Sequence, residues 1–246
     1  MNYMDYLFLC GSAALGGAMN SVAGGGSFMT FPAMVFAGYT PLQANVTSTL
    51  ALAPGGYASA YAYRKELAAH RESWPMLITI SLAGSVLGAI VLVSTPEQVF
   101  AQMVPWLLLF ATLVFTFGRR ILKRLPMLHH PAIARAMQFV IAFYGGYFGA
   151  GMGILMLAML QLMGLTHIHR MNALKAVLGC AINTVAMIIY ATSNQVAWHA
   201  GLIMMCGGIF GGYVGARVAQ KCPPEPIRWL VSAIGFSMTA YFFTKI

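Results

Sequence analysis

Charge is what this sequence has least of. Only 8 % of its 246 residues are Asp, Glu, Lys or Arg, against 59 % hydrophobic, and mean hydropathy is +0.75. A soluble domain is typically about 25 % charged, so this composition excludes a water-facing surface and selects lipid as the solvent. Carboxylates are the scarcest group. The chain has five, Asp5, Glu66, Glu72, Glu97 and Glu225, all at span ends or in loops. A buried Asp or Glu for a proton relay or a carboxylate cation site is therefore missing, which argues against a cation pump. Proton-linked transport would need the substrate itself, or a histidine, to carry the proton. The four cysteines, Cys10, Cys180, Cys206 and Cys222, form no CxxC pair and read as small buried hydrophobes, with no metal or cofactor site expected. HExxH, nucleophile-elbow and Walker motifs are absent, so an intramembrane enzyme is not expected. The first residues lack a basic n-region and a small-residue cleavage site, so no signal peptide is read.

What charge there is carries a positive excess of +9. No basic-aromatic platform supports nucleic acid as a partner. The cations cluster instead between apolar runs: Arg64, Lys65 and Arg71; Arg119, Arg120, Lys123, Arg124 and Arg135; Arg217, Lys221 and Arg228. Loops of this kind are cytoplasmic and face anionic headgroups. The connections near 95–98 and 193–196 hold no Lys or Arg and fall outside. Trp74, Trp106, Trp198 and Trp229 read as interfacial anchors or packing residues.

Six apolar runs have the length of ordinary spans, about the 20 residues that a bilayer requires. They cover 41–63, 74–94, 99–117, 168–192, 198–218 and 227–243. Two other stretches, 3–38 and 133–164, are too long for one crossing, roughly 50 Å as straight helix, and each is broken by glycine, at AGGGSF 23–28 and GAGMGI 149–154. Both are expected to be hairpins of a longer helix, a glycine turn and a half-helix. Charge demands the same: Thr166 must lie on the side of Arg124, so the chain between them enters and returns. By the same logic the N- and C-termini lie outside.

The halves repeat. At a shift of about 126 residues Gly38-Tyr39-Thr40 falls on Gly164-Leu165-Thr166, and one residue more lays Asn45 on Asn172 and GSVLGA 84–89 on GGYVGA 211–216. Each repeat holds an odd number of ordinary crossings, so the copies have opposite orientation. The expected fold is an all-α polytopic membrane protein of two inverted repeats, 1–118 and 133–246, each a glycine-broken hairpin plus three transmembrane helices, joined by a basic linker at 119–132. The bland alternative is a generic bundle whose glycines serve close helix packing, as GxxxG does at Gly84–Gly88 and Gly211–Gly215.

The runs GGGSFMTFPAMVFAGYTPLQANVTSTLA (24–51) and GGYFGAGMGILMLAMLQLMGLTHIHRMNALKAVL (145–178) resemble the two repeated motifs of the TauE/SafE sulfite-exporter family, also called the toluene sulfonate uptake permease family. The resemblance covers essentially the whole chain. The second copy departs from it where Met152 interrupts the glycine triplet and Ala158 stands opposite Pro32. The resemblance implies transport of sulfite, organosulfonates or related small anions, and export from the bacterial cytoplasm through the inner membrane.

Helix physics supplies a candidate site. A half-helix starts with backbone N–H groups that lack intrahelical partners, at the positive end of its dipole, and such ends bind anions. The donors would lie near Gly25, Gly26, Ser27 and Phe28 in one turn and Gly151, Met152, Gly153 and Ile154 in the other. The same glycines also read as mere permission for a tight turn. Lys175, in an otherwise apolar span roughly 13 Å from its start, is a functional hypothesis by default, with snorkelling to the surface as its alternative. Asn45, Thr47, Ser48, Thr49, Asn172 and Asn183 lie near matching depth. They suit an oxyanion as well as they suit interhelical hydrogen bonding. Asn20 precedes the first glycine turn, and Gln161 sits in the second half-helix. His167, His169 and Arg170 read as interfacial, His129 and His130 as solvated, His199 as near an outer edge.

The expectation is a secondary carrier of a small anion, with the lipid bilayer as its surroundings and a homodimer left open. An anion channel using the same groups is the second reading. A receptor or assembly component without flux is the third.

Overall fold

The computed structural model describes residues 3–22, 24–68, 74–122, 130–219 and 225–245. Arg71, Glu72, Lys123, Arg124, His129, Lys221 and Cys222 lie outside the described residues, as do the side chains of Trp74, Arg119, Arg120, Glu225 and Arg228. Every described element is a helix: α1 (Tyr3–Val22), α2 (Ser27–Phe36), α3 (Pro41–Ala62), α4 (Arg64–Ala68), α5 (Trp74–Ser94), α6 (Glu97–Leu122), α7 (Pro131–Tyr147), α8 (Met152–Leu162), α9 (Ile168–Ala191), α10 (Trp198–Ala219) and α11 (Glu225–Phe243).

Local chemistry sets the boundaries. Gly38 and Gly164, at φ 92° and 88°, close α2 and α8. In each case the residue after the glycine donates back five positions, Tyr39 to Met34 O at 3.2 Å and Leu165 to Leu160 O at 3.1 Å. Only glycine enters that left-handed cap at no steric cost. Immediately afterwards Thr40 and Gln43 form a capping box, with Pro41 at the first helical position of α3. The Glu97 carboxylate reinforces this start from α6, accepting from Thr40 Oγ1 at 2.9 Å and from the Leu42 N–H at 3.1 Å. A carboxylate at a helix N-terminus is favoured by the dipole, and it is one reason α6 starts at Glu97 instead of Val99.

Among the described residues, four helices are long and apolar enough to cross a membrane: Pro75–Ser94, Glu97–Gly118, Ile168–Ala191 and Trp198–Val218. The other two runs expected to span, 41–63 and 227–243, are not among them. α3 falls short because it carries Gln43, Asn45, Thr47, Ser48, Thr49 and Ser59, and all of these except Gln43 are buried against protein. The side chains of α11 are described from Trp229 on, and over Trp229–Phe243 they form an apolar stretch, beside the short α2 and α8. The outer surface is correspondingly greasy. Leu87, Ile90, Trp106, Phe110, Leu202 and Phe210 are exposed, as suits a protein whose solvent is hydrocarbon.

Each hairpin packs against the other half of the chain. α1 lies along α10, α7 along α5, and α3 and α9 touch at the centre, while α6 pairs with α11. Glycine makes the first two contacts backbone to backbone. A Cβ on Gly84 would stand 2.6 Å from Phe139 O, and one on Gly146 2.5 Å from Ser85 O. Gly88 is similarly closed off by Phe143 O, Gly211 by Ala14 O and Gly215 by Ala18. The GxxxG pairs therefore serve close packing, with no side chain between the helices.

Two outcomes are expected in thermal unfolding followed by size-exclusion chromatography. Gly211→Ala should destabilise by roughly 1–3 kcal/mol, because the backbone of α1 has to move, whereas Gly11→Ala, which meets nothing within 4 Å, should not. Glu97→Ala should cost about 1–2 kcal/mol by removing two partners from the start of α3.

Candidate functional site

The two glycine turns meet. A Cβ at Gly24 would stand 2.7 Å from Gly153 Cα, and one at Gly153 would stand 2.7 Å from Gly24 Cα. Gly24 and Gly151 both have positive φ, 83° and 75°, which lets the chain reverse between α1 and α2 and between α7 and α8 within a few residues. Several first-turn N–H groups are used inside the turns. Phe28 donates to Gly25 O at 3.1 Å, Met152 to Gly149 O at 3.2 Å and Ile154 to Gly151 O at 3.0 Å.

Turns this abrupt leave helix ends buried, and side chains from other helices, including Lys175 and Asn45 from the opposite half, complete them. Lys175, on α9 and 6 % exposed, directs its Nζ to Asn20 O at 3.0 Å and Ser21 O at 3.1 Å, in the last turn of α1. A cation at a helix C-terminus is stabilised by both the carbonyls and the dipole. The lysine does not snorkel to a surface. At the end of α7, Asn45 Nδ2 donates to Tyr147 O at 3.0 Å, and Tyr190 Oη donates to Gly146 O. The Ser21 and Ser59 hydroxyls share a hydrogen bond of 2.5 Å, and both lie within hydrogen-bond distance of the acceptor Gly212 O, at 2.8 and 3.1 Å, tying α1, α3 and α10 together beside the lysine.

Lys175 is one of the residues that line a cavity of about 30 Å³. α1 lines it with Asn20 and Ser21, α3 with Gly56 and Ser59, the turn just after α3 with Tyr63, α8 with Met152, Gly153 and Met156, and α9 with Lys175, Ala176, Gly179 and Asn183. A water needs some 10–15 Å³, so this space suits one or two waters and is smaller than a sulfur oxyanion needs. A second, wider cavity of about 580 Å³ lies by the following turn, lined by Arg64, Lys65, Glu66 and Arg217. Arg64 stacks over Tyr61 at 4.2 Å and Arg217 over Tyr213 at 5.0 Å.

Of the residues singled out in the sequence, the structure thus gathers Met152, Gly153 and Lys175 at one cavity, with Asn20 and Asn183. Gly25, Gly26, Ser27, Phe28, Asn45, Ser48, Thr49, Gly151, Ile154, Asn172 and Gln161 do not line it. Gly25 faces the Phe115 ring and Val231, an apolar setting. Thr49 Oγ1 donates to Asn45 O on its own helix at 3.0 Å. Ser48 Oγ and Asn172 Oδ1 are buried without a hydrogen-bond partner among the described residues. His167, His169 and His199 are exposed and Arg170 is half-buried. Cys10, Cys180 and Cys206 are free thiols. Ser59 and Tyr63 are additions to the sequence reading. The signal for them was the stripe Gly56, Ser59, Tyr63 at helical spacing along the polar α3.

The family model for "Sulfite exporter TauE/SafE" matches residues 9–242. A "Probable membrane transporter protein" of Haemophilus influenzae is 31 % identical over 226 residues, 90 % of this chain and 88 % of the relative. "Probable membrane transporter protein ORF9" of Sinorhizobium sp is 29 % identical over 235 residues, 94 % of this chain and 89 % of the relative. "Probable membrane transporter protein YfcA" of Escherichia coli K12 is 24 % identical over 231 residues, covering 93 % and 86 %. No solved structure matches the chain. A match over nearly the full length, on a helical and lipid-facing structure, has one consequence: the chain belongs to the sulfite exporter TauE/SafE family of membrane transporters.

Proposed function

We propose that the protein is a secondary carrier for a small sulfur-containing anion, sulfite or an organosulfonate, which it exports across the bacterial inner membrane by alternating access around Lys175. The observation that carries this reading is the buried ammonium of Lys175, set where the end of α1, the start of α8 and the polar face of α3 converge. An ionisable group in such a position is costly and is kept for function. The description of the matching family, sulfite exporter, supports the substrate class and the direction.

The helix neighbours support two inverted repeats. α1 on α10 and α7 on α5 are equivalent contacts if the halves are related by a two-fold axis, as are the matched glycine caps after α2 and α8. Lys175 on the end of α1 and Asn45 on the end of α7 are the same exchange made in both directions. The reading places the basic loops in the cytoplasm and both termini outside. It also takes the present conformation as closed around the site, since the cavity is too small for the anion. Opening would part the hairpins from α3 and α9, and would expose Gly153 and the Gly25, Gly26 and Ser27 backbone to the substrate alongside Lys175.

Flux of sulfite, sulfoacetate, sulfate and chloride in proteoliposomes tests this for the parent, Lys175→Ala and Lys175→Gln. The glutamine retains a donor for the α1 carbonyls and removes the charge. Saturable sulfite or sulfonate flux with counterflow is expected in the parent, falling about tenfold or more in both variants while the thermal midpoint of Lys175→Gln stays near the parent's. Equal flux in all three would remove Lys175 from the mechanism. Single-channel conductance would replace the carrier by a pore, and no flux of any anion would overturn the substrate class.

A further inference from the structure

Tyr63 follows the last residue of α3 and begins the turn into α4. Its backbone is satisfied: the N–H donates to Ser59 O at 3.1 Å, and the carbonyl accepts from the Glu66 N–H at 3.1 Å. The side chain is 0 % exposed and packs with Ala173 and Ala216, two small residues that leave a slot for the ring. A buried phenol normally finds an acceptor. Tyr63 Oη has no hydrogen-bond partner among the described residues, yet the residue lines the same small cavity as Lys175.

The hydroxyls beside it are differently placed. Ser21 and Ser59 spend theirs on each other and on Gly212 O. A buried tyrosine hydroxyl left over on a residue that shares a cavity with a buried lysine is a donor lacking an acceptor, and an anion supplies acceptors only. The cavity is so small that an anion admitted by modest widening would touch groups on opposite walls at once. Tyr63 also immediately precedes Arg64, Lys65 and Glu66, which line the wider cavity.

We infer that Tyr63 is a substrate-binding residue whose hydroxyl donates to an oxygen of the bound oxyanion, opposite the Lys175 ammonium. This rests on the carrier reading and adds to it the group that completes the anion's hydrogen bonding. The phenol ring fixes the position of the donor, and the hydroxyl carries the interaction. Removing only the oxygen therefore separates binding from packing. It also predicts an unusual pairing of effects, because a hydroxyl buried without an acceptor burdens the ligand-free fold and is useful only once the anion arrives.

Calorimetric titration of sulfite into the purified full chain tests it, on the parent, Tyr63→Phe and Lys175→Gln, with the ligand-free thermal midpoint measured for each. Tyr63→Phe should weaken sulfite binding roughly tenfold or more, the usual loss for a hydrogen bond to a charged partner, while its ligand-free midpoint stays level or rises. Parental affinity in Tyr63→Phe, with binding lost in Lys175→Gln, would overturn this inference alone and leave the carrier reading standing. A fall in the ligand-free midpoint of Tyr63→Phe would also overturn it, since the hydroxyl would then be structural. Absence of sulfite binding in the parent would overturn both.

Discussion

Two helices of this protein end inside it, and their last carbonyls must find donors away from water. A buried, unsatisfied carbonyl costs about 1–3 kcal/mol, so a helix that stops in the interior dictates what stands opposite it. Lys175 stands opposite α1, and Asn45 with Tyr190 opposite α7. Because Lys175 and Asn45 each come from the other half, neither hairpin is complete until both halves are assembled. The choice of a lysine for one of these positions brings a positive charge to the meeting point of the turns. The negative end of α1 stabilises that charge without needing a carboxylate.

The same demand explains the glycines. For an interior helix end to be reached by a side chain from another helix, the backbones must come close. On α10 and α5 this is achieved by removing side chains from the contact, so that Gly211 lies on Ala14 and Gly88 on Phe143 with nothing between. Such contacts gain from dispersion and close fit, the main sources of association where lipid offers no hydrophobic drive. They also present smooth surfaces of small residues. Under the carrier reading these are the surfaces along which a hairpin and its neighbour would shift as a pair.

Much of the fold could be read from the chain because lipid simplifies the code: long apolar runs are helices, and glycine with basic loops marks where they turn. α5 and α10 start where apolar composition begins, at Trp74 and Trp198. α3 was legible as a helix but not as an interior one, since its polar residues look the same whether they face lipid-embedded partners or a pocket. Lys175 stood out because a lone cation in an apolar run has no ordinary explanation. Tyr63 did not, because a tyrosine at the end of a span also reads as an interfacial anchor. Nor does a glycine run reveal which first-turn N–H groups bend back on their own turn, as those of Phe28, Met152 and Ile154 do. That depends on dihedral angles settled by the contact between Gly24 and Gly153.

The two halves differ where it matters for charge. The shift that lays Asn45 on Asn172 lays Ser48 on Lys175, so one copy carries an ammonium and the other a hydroxyl, buried and without a partner among the described residues. Among the residues lining the Lys175 cavity there is no carboxylate and no second cation. One fixed positive charge balances one negative charge, and an additional unpaired charge in such surroundings would be expensive to bury. Under the carrier reading, a cavity with this one fixed charge would suit a monoanion, such as hydrogen sulfite or a monosulfonate, better than a dianion such as sulfate. Neutral donors can hold the remaining oxygens, and charge balance at this single lysine then becomes a basis for choosing among sulfur oxyanions.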